Sequence, residues 1–125
     1  SFVGQKTSAL NYLSRVLEAS NAPETSLRQK YRNYAEALQI FSDGKLYNAA
    51  KPISLESVRL ADKLNDSMYK TLSRSNAGIA YAQAGHFTQA REWTNDGMEK
   101  AKMMSDELTR KRMTAYSYLA SGYIE

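Results

Sequence analysis

The chain has 125 residues, of which 42% are hydrophobic and 24% charged, a balance typical of one folded domain with its own core. Its formal net charge of +4, from 17 basic and 13 acidic residues, is too small to indicate nucleic-acid binding by itself. The lack of cysteine in the sequence excludes disulfides, thiol catalysis and zinc sites with cysteine ligands.

Apolar residues in the first third of the chain recur at intervals of three and four, the spacing of an amphipathic helix. They predict a first helix from about residue 2 to residue 20. A second helix is predicted to start near Pro23 and Glu24 and to end at residues 42–44. Gly44 is expected to supply its left-handed cap, because glycine adopts that conformation without strain.

The remainder of the chain continues with helical spacing. Further helices are predicted at about residues 45–64, 67–84 and 87–104, and from a cap at Ser105 or Asp106 to the end. Pro52 removes one backbone hydrogen bond inside the third helix and predicts a kink or a delayed start. No segment alternates with period two, so the predicted fold class is all-α, with about six helices.

A short pattern, glycine followed five residues later by alanine, occurs three times. The copies are GQKTSA from Gly4, GKLYNA from Gly44 and GHFTQA from Gly85, so that the glycines are 40 and 41 residues apart. A near-constant period of this size predicts an internal repeat. In the last copy Gly85 is expected to turn the chain, Phe87 to enter the core, and Ala90 to leave room for the preceding helix.

The segment NAGIAYAQAGHFTQA, residues 76–90, resembles the tetratricopeptide repeat (TPR) family. The resemblance implies antiparallel helix hairpins stacked as a right-handed solenoid, with residues 1–125 forming one domain. In this family small residues mark where the two helices of a hairpin touch, and Gly78 and Ala90 occupy those places. A period of about 41 residues exceeds the family's usual 34 or so. It is similar to the long repeats of bacterial regulatory proteins that bind peptides or response regulators.

The resemblance also implies a binding surface, because the first helix of each pair lines a concave groove in this family. Matched position by position, the partner-binding residues are Tyr31, Tyr34, Leu38, Phe41, Ser75, Asn76, Ile79, Gln83, Ser117 and Tyr118. Tyrosine suits such a surface, since it combines an apolar ring with a polar tip. Family members that grip chaperone tails use basic residues and asparagine here. Only Asn76 matches them, so that class of ligand is not expected.

Residues that could carry chemistry are scattered along the chain. His86 is the only histidine and is predicted to be a solvent-facing loop residue. Asp62, Asp66 and Asp96 are predicted to lie on solvated helix faces. The sequence contains no phosphate-binding glycine loop and no nucleophile elbow, so no enzyme activity, cofactor or metal is expected. The expected function is recognition of a protein or peptide segment.

Alternative functions remain open at this point. The end helices could form a homodimer, which would make the chain a dimerising regulatory domain coupled to an attached signalling output domain. The basic run of residues 110–112 could meet nucleic acid, although cationic side chains on an exposed helix are the simpler interpretation, and no nucleic-acid partner is expected. No apolar run approaches the ~20 residues of a membrane span. The compartment is left open.

The ends of the sequence suggest that it comes from something longer. The first residue is Ser rather than Met, and the first and last helices lack the partner helices that a stacked array would give them. The chain is therefore expected to be a fragment, the sensory or scaffolding part of a larger bacterial regulatory protein.

Overall fold

The computed structural model of the chain describes residues 2–20, 22 and 26–122; several side chains near both ends, including that of Tyr118, are not described. It contains α1 (Phe2–Ser20), α2 (Leu27–Asp43), α3 (Tyr47–Leu64), α4 (Ser67–Gln83), α5 (Phe87–Lys102) and α6 (Glu107–Gly122). The described residues include no strand, and the predicted all-α class with six helices is confirmed.

Helix boundaries agree with the sequence prediction to within a few residues. The predicted first turn of the second helix, at Pro23 and Glu24, lies outside the described residues, and so does the end of the sixth helix beyond Gly122. The third helix begins at Tyr47, two residues later than predicted, and continues through Pro52.

Each helix packs on the one that follows it in the chain, and α4 also packs on α6. The backbones of α2 and α4 approach each other less closely. These two helices meet through side chains, among them the Ser42 hydroxyl, which donates a hydrogen bond of 2.9 Å to Gln83 Oε1. We call the boundary between two neighbouring helices a seam. The seam between α4 and α6 is closed, because the two backbones lie close together, whereas the seam between α2 and α4 is open, because their backbones lie further apart.

Three helices start at side-chain caps that are evenly spaced along the chain. Ser26, Asp66 and Asp106 precede α2, α4 and α6, and each accepts a hydrogen bond from the backbone N–H three residues later, at 3.1, 3.2 and 2.8 Å. Both intervals, 26 to 66 and 66 to 106, are 40 residues. Asp106 was one of the two predicted caps of the sixth helix, and this prediction is confirmed.

The turns after α2 and α4 show the same spacing of 40. Gly85 has a φ of +86° and turns the chain as predicted. Gly44, however, has a φ of −80°, and the left-handed residue is its neighbour Lys45, with a φ of +60°. Each turn is closed by a 2.9 Å backbone hydrogen bond that spans five residues. The cap predicted at Gly44 was wrong because the glycines are 41 residues apart, whereas the matching turn positions are 40 apart.

The hairpin of α2 and α3 is held by large apolar side chains. Phe41 has no exposed surface, and Leu38 and Ile53 are buried beside it. Val16 of α1 and Ala80 of α4 complete this cluster. A second cluster along the same hairpin contains Tyr31, Leu60 and Ala61.

The hairpin of α4 and α5 is held by small side chains. A Cβ placed on Gly78 would lie 2.4 Å from Thr94 Cγ2 and 3.2 Å from the Ala90 carbonyl oxygen, so the close helix contact predicted at Gly78 and Ala90 is confirmed. A Cβ on Gly97 would lie 3.0 Å from Ser75 Oγ. Glycine inside a helix weakens it locally, but at Gly97 it also allows α5 to approach α4.

Two expectations about the GHFTQA turn were wrong. Phe87 is the first residue of α5 and is 45% exposed, whereas Ala90, which is fully buried, is the residue that contacts α4. His86 is half-buried instead of solvent-facing. Its Nε2 lies 2.8 Å from Lys51 Nζ, and its ring meets the edge of the Tyr81 ring at 6.3 Å.

An ion cluster joins α3, α4 and α5. Arg74 is only 8% exposed, and its guanidinium donates hydrogen bonds to both oxygens of Asp62, at 2.8 and 3.1 Å, and to Asp96 Oδ2 at 2.6 Å. Burial alone would lower the pKa of Arg74, but the two carboxylates raise it overall. The Asp62 and Asp96 side chains are 45% and 42% exposed, in agreement with the predicted solvated faces, and they also tie α3 and α5 to α4 through Arg74.

Candidate functional site

A groove of about 590 Å³ is lined by residues of α2, α4 and α6. Its lining residues are Ala35, Leu38, Gln39, Ser42, Asp43, Asn76, Ile79, Ala80, Gln83, Tyr116 and Ala120. They come from α2, α4 and α6 and are spaced by three or four positions, or by one, so each helix contributes a single face. We call this cavity the α2–α4–α6 groove. It exists because the seam between α2 and α4 is open.

The polar residues of the groove form links between helices. At one end Ser42 of α2 bonds to Gln83 of α4, as described above. Further toward the start of α4, the Tyr116 hydroxyl donates a 2.5 Å hydrogen bond to Asn76 Oδ1. Between these links the lining is apolar, with Leu38, Ile79 and Ala80. The groove therefore has an apolar floor between two polar bridges.

In each bridge the NH₂ group of the side-chain amide is left available as a hydrogen-bond donor. Asn76 and Gln83 both use their side-chain oxygen as the acceptor, and no hydrogen bond within the described part of the chain uses the nitrogen of either amide. A carboxamide NH₂ group offers two donors. The groove therefore presents N–H donors at two points that a bound acceptor can reach.

Charge in the groove comes from one side chain. Asp43 is the only lining residue whose side chain is charged at neutral pH, and it takes part in none of the ion pairs of the described residues. Gln39 Nε2 donates a 2.8 Å hydrogen bond to Asp43 Oδ1 and so orients the carboxylate. The last turns of α2 and α4 contain no basic residue. Asp43 therefore gives this end of the groove a negative charge, although Lys45 follows two residues later and the chain as a whole is basic.

The structure brings only part of the predicted site together. Leu38, Asn76, Ile79 and Gln83 line the groove. Tyr34 is half-buried against the core clusters and does not line it. The side chain of Tyr118 lies outside the described residues. The remaining four predicted residues are buried, and their placement on an open surface was wrong: Tyr31, Phe41, Ser75 and Ser117.

Packing between helices explains these burials. The Tyr31 ring lies 4.7 Å from the Tyr69 ring, between centroids, and burial raises the pKa of Tyr31 to about 12, with Tyr69 adding to the shift. The hydroxyls of Ser75 and Ser117 lie 3.2 Å apart and close the seam between α4 and α6. Phe41 fills the centre of the α2–α3 contact. These residues hold the walls of the groove in place.

Sequence reasoning missed the aromatic residue of the groove, Tyr116. The sequence prediction placed Tyr118 in the groove, two positions beyond Tyr116, which lies 40 positions after its hydrogen-bond partner Asn76. An error of two residues corresponds to about 200° of rotation around a helix. The cap residues provided the correct signal, since Asp66 and Asp106 are also 40 apart.

A second cavity, of about 510 Å³, lies beside the predicted basic run of α6. Its lining residues are Lys102, Arg110, Lys111, Thr114 and Ala115. Lys111 Nζ pairs with Glu107 at 3.1 Å, and Lys102 Nζ pairs with Glu99 at 3.8 Å. These ion pairs neutralise part of the positive charge at this cavity.

No cluster of three or more His, Asp or Glu side chains that could hold a metal ion occurs within residues 2–20, 22 and 26–122. In the same part of the chain, no helix combines the length and the apolar character that crossing a membrane requires. Comparisons of the chain with protein-family models, curated proteins and solved structures find no match.

Proposed function

We propose that the chain is a TPR-like helical-repeat module that binds an extended protein or peptide segment in the α2–α4–α6 groove. The observation that carries the proposal is the groove itself, which has an apolar floor between two amide groups with unused donors. The spacing of 40 residues between Ser26, Asp66 and Asp106 supports the repeat. The resemblance of residues 76–90 to the TPR family supports the stacked, right-handed arrangement.

The chemistry of the groove suits an extended backbone. An extended segment presents carbonyl oxygens that are not used in its own secondary structure, and the amides of Asn76 and Gln83 can donate to them. The floor at Leu38 and Ile79 can receive an apolar side chain of the segment. A volume of about 590 Å³ lies within the range of pockets that enclose a small ligand, so it accommodates a few residues of a peptide.

In this proposal the module is the sensory or scaffolding part of a larger bacterial regulatory protein. The long period supports that assignment through its resemblance to the extended repeats of such proteins. The groove contains no arrangement of nucleophile, base and orienting group, so its geometry fits binding rather than catalysis.

The proposal is tested by selecting binders from a random dodecapeptide phage library with the 125-residue chain. Synthetic copies of the enriched peptides are then titrated against variants by fluorescence anisotropy. Ile79→Asp places a charge on the groove floor and is expected to weaken binding about tenfold or more, a loss typical of a central contact. Leu55→Asp is the matched control, because Leu55 is 40% exposed and lies outside the groove.

Leu55→Asp is expected to bind like the unmodified chain, and circular dichroism must show that both variants are folded. Enriched peptides that bind the Ile79→Asp variant as tightly as the unmodified chain would overturn the proposal. So would a selection that enriches no peptide at all.

A second candidate function is self-association of a regulatory domain, and it is favoured by exposed apolar side chains near α6. Met103, in the turn before α6, is 78% exposed, and Leu108 in the first turn of α6 is 59% exposed. Apolar side chains that are left open beside a terminal helix can be covered by a second copy. Sedimentation velocity over a concentration series tests this candidate, with Leu108→Glu expected to shift any dimer toward monomer.

A further inference from the structure

We propose that the α2–α4–α6 groove selects segments that carry a lysine or arginine side chain and that this cation pairs with Asp43. The inference rests on the proposed function and specifies the ligand of the same groove. The proposed occupant is an extended peptide with an apolar residue over Ile79 and a basic residue toward the end of α2.

A ligand that covers Asp43 without pairing with it binds at a high cost in free energy. A carboxylate that loses water without gaining a partner is strongly destabilised, and an acidic ligand would add repulsion. Asp43 has no ion-pair partner within the described residues that could offset this cost. A basic side chain on the ligand supplies the missing partner.

The carboxylate of Asp43 is also oriented by a neighbouring side chain. Gln39 Nε2 holds Asp43 Oδ1 at 2.8 Å, and no hydrogen bond among the described residues uses Oδ2. One oxygen is therefore fixed while the other is open. An ammonium or guanidinium group can bond to the open oxygen, and such charge-assisted bonds are roughly twice as strong as neutral ones.

The C-terminal ends of α2 and α4 also favour a cation at this end of the groove. α2 ends at Asp43 and α4 ends at Gln83, and the Ser42–Gln83 hydrogen bond shows that these two ends lie side by side. Helix C-termini carry partial negative charge, which favours a nearby cation. Neither last turn contains a basic residue that would compensate this charge.

The length of the groove sets the spacing of the expected motif. Asn76 and Gln83 are seven positions apart on α4, which corresponds to about 10 Å along a helix with a rise of about 1.5 Å per residue. An extended peptide covers that distance with about three residues, at about 3.3 Å each. The basic residue is therefore expected about three positions from the residue that contacts the Asn76–Tyr116 bridge.

The test repeats the dodecapeptide selection with the unmodified chain, Asp43→Asn and Asp43→Lys. Asp43→Asn keeps an acceptor for Gln39 while removing the charge. Glu92→Gln is the matched control, because Glu92 is exposed on α5 and lies outside the groove. The unmodified chain and the control are expected to enrich peptides with lysine or arginine. Asp43→Asn is expected to lose that preference, and Asp43→Lys to favour acidic residues.

A double-mutant cycle measures the pairing directly. In an enriched synthetic peptide, replacing the basic residue with norleucine is expected to weaken binding to the unmodified chain about tenfold. The same replacement should leave the affinity for the Asp43→Asn variant within about twofold, because the partner charge is already absent.

The outcomes separate this inference from the proposed function. Peptides that require Ile79 but show no basic preference, or show it equally with Asp43→Asn, overturn the inference and leave the proposed function standing. A selection without any Ile79-dependent peptide overturns both. A basic preference that disappears with Asp43→Asn and persists with Glu92→Gln supports the inference.

Discussion

The hairpin of α2 and α3 is held together differently from the hairpin of α4 and α5. Phe41, Leu38 and Ile53 fill the first with large apolar side chains. Gly78 and Ala90 allow the second to pack almost backbone to backbone. Large side chains stabilise a contact mainly through the apolar area that they bury. Small side chains stabilise it through close packing of the two helices, and a larger residue at such a position is destabilising.

Polar atoms in the second hairpin are satisfied locally. The hydroxyls of Thr71, Ser73 and Thr94 are almost completely buried, and each donates a 3.1 Å hydrogen bond to a carbonyl three or four residues earlier in its own helix. Burial of these hydroxyls costs little free energy because each one is hydrogen-bonded. Small and hydroxyl-bearing residues thus let α4 pack closely on both α5 and α6.

The same difference explains the groove. α4 approaches α6 closely enough for the Ser75 and Ser117 hydroxyls to lie 3.2 Å apart. Between α2 and α4 no comparable close approach of the backbones exists, and longer side chains such as Ser42–Gln83 and Tyr31–Tyr69 bridge the gap. The seam that is open to a ligand is the one bridged by the side chains of Gln83, Tyr31 and Tyr69.

The largest expected effect tests the hairpin with large side chains. Phe41→Ala removes a ring without any exposed surface and is expected to lower the free energy of unfolding by about 3–5 kcal/mol. Denaturant titration followed by circular dichroism measures the loss. Leu55→Ala, on the exposed side of α3, should change stability by less than about 0.5 kcal/mol. Equal losses would contradict the central position of Phe41.

Alkaline pH tests the same hairpin through Tyr31. Burial raises the pKa of Tyr31 from 10.0 to about 12, so the folded protein holds this proton more tightly than the unfolded chain. The resulting stability is present below pH 10 and is lost as the pH rises toward 12. A shift of this size corresponds to roughly 3 kcal/mol.

The Tyr31→Phe variant serves as the comparison for this measurement, since it keeps the buried ring and lacks the ionisable hydroxyl. Its free energy of unfolding, measured by urea titration at several pH values between 9 and 12, should fall less steeply than that of the unmodified chain. Parallel curves for the two proteins would show that Tyr31 does not carry the alkaline sensitivity.

The hairpin with small side chains is tested by Gly78→Leu. Even a Cβ at this position would lie 2.4 Å from Thr94, so a larger side chain must push α4 and α5 apart, at a cost of about 1–3 kcal/mol. Gly122→Leu is the control, because a Cβ at Gly122 would meet no atom within 4 Å. The thermal midpoint should fall for Gly78→Leu and stay nearly constant for Gly122→Leu. A similar fall for both would place the close contact elsewhere.

The smallest expected effect concerns the two turns. Lys45→Gly relieves a non-glycine residue with a φ of +60° and is expected to stabilise the protein by up to about 1 kcal/mol. Gly85→Ala should cost a similar amount, since alanine is strained at a φ of +86°. Gly44→Ala should be nearly neutral at a φ of −80°. If Gly44→Ala proved the most damaging of the three, the assignment of the left-handed residues would be wrong.

Only part of the groove could be predicted from the sequence. Four of the predicted partner-binding residues line it, Leu38 on α2 and Asn76, Ile79 and Gln83 on α4, and the resemblance in residues 76–90 covers the three on α4. Transfer of that register to α2 and α6 failed at Tyr31 and Ser117, both of which are buried. Each residue of error turns a helix by about 100°, so a correct helix with a slightly wrong register presents the wrong face.

The sequence alone was enough to predict the properties that depend on residues close together in the chain. The spacing of apolar residues sets helix formation, which is why all six helices were found with nearly correct ends. Gly85 turns the chain because its own backbone permits a positive φ. The lack of bulk at Gly78 and Ala90 likewise indicated a close contact between the two helices that carry them.

Tertiary structure alone decided the properties that depend on distant residues. Arg74 binds Asp62 and Asp96, twelve residues before it and twenty-two after it, and no local pattern marks such a meeting. Asp43 becomes the charged end of a groove only because α2 lies beside α4 with an open seam. Helix formation depends on interactions within a few residues. Which faces of two helices meet depends on how their side chains pack against one another.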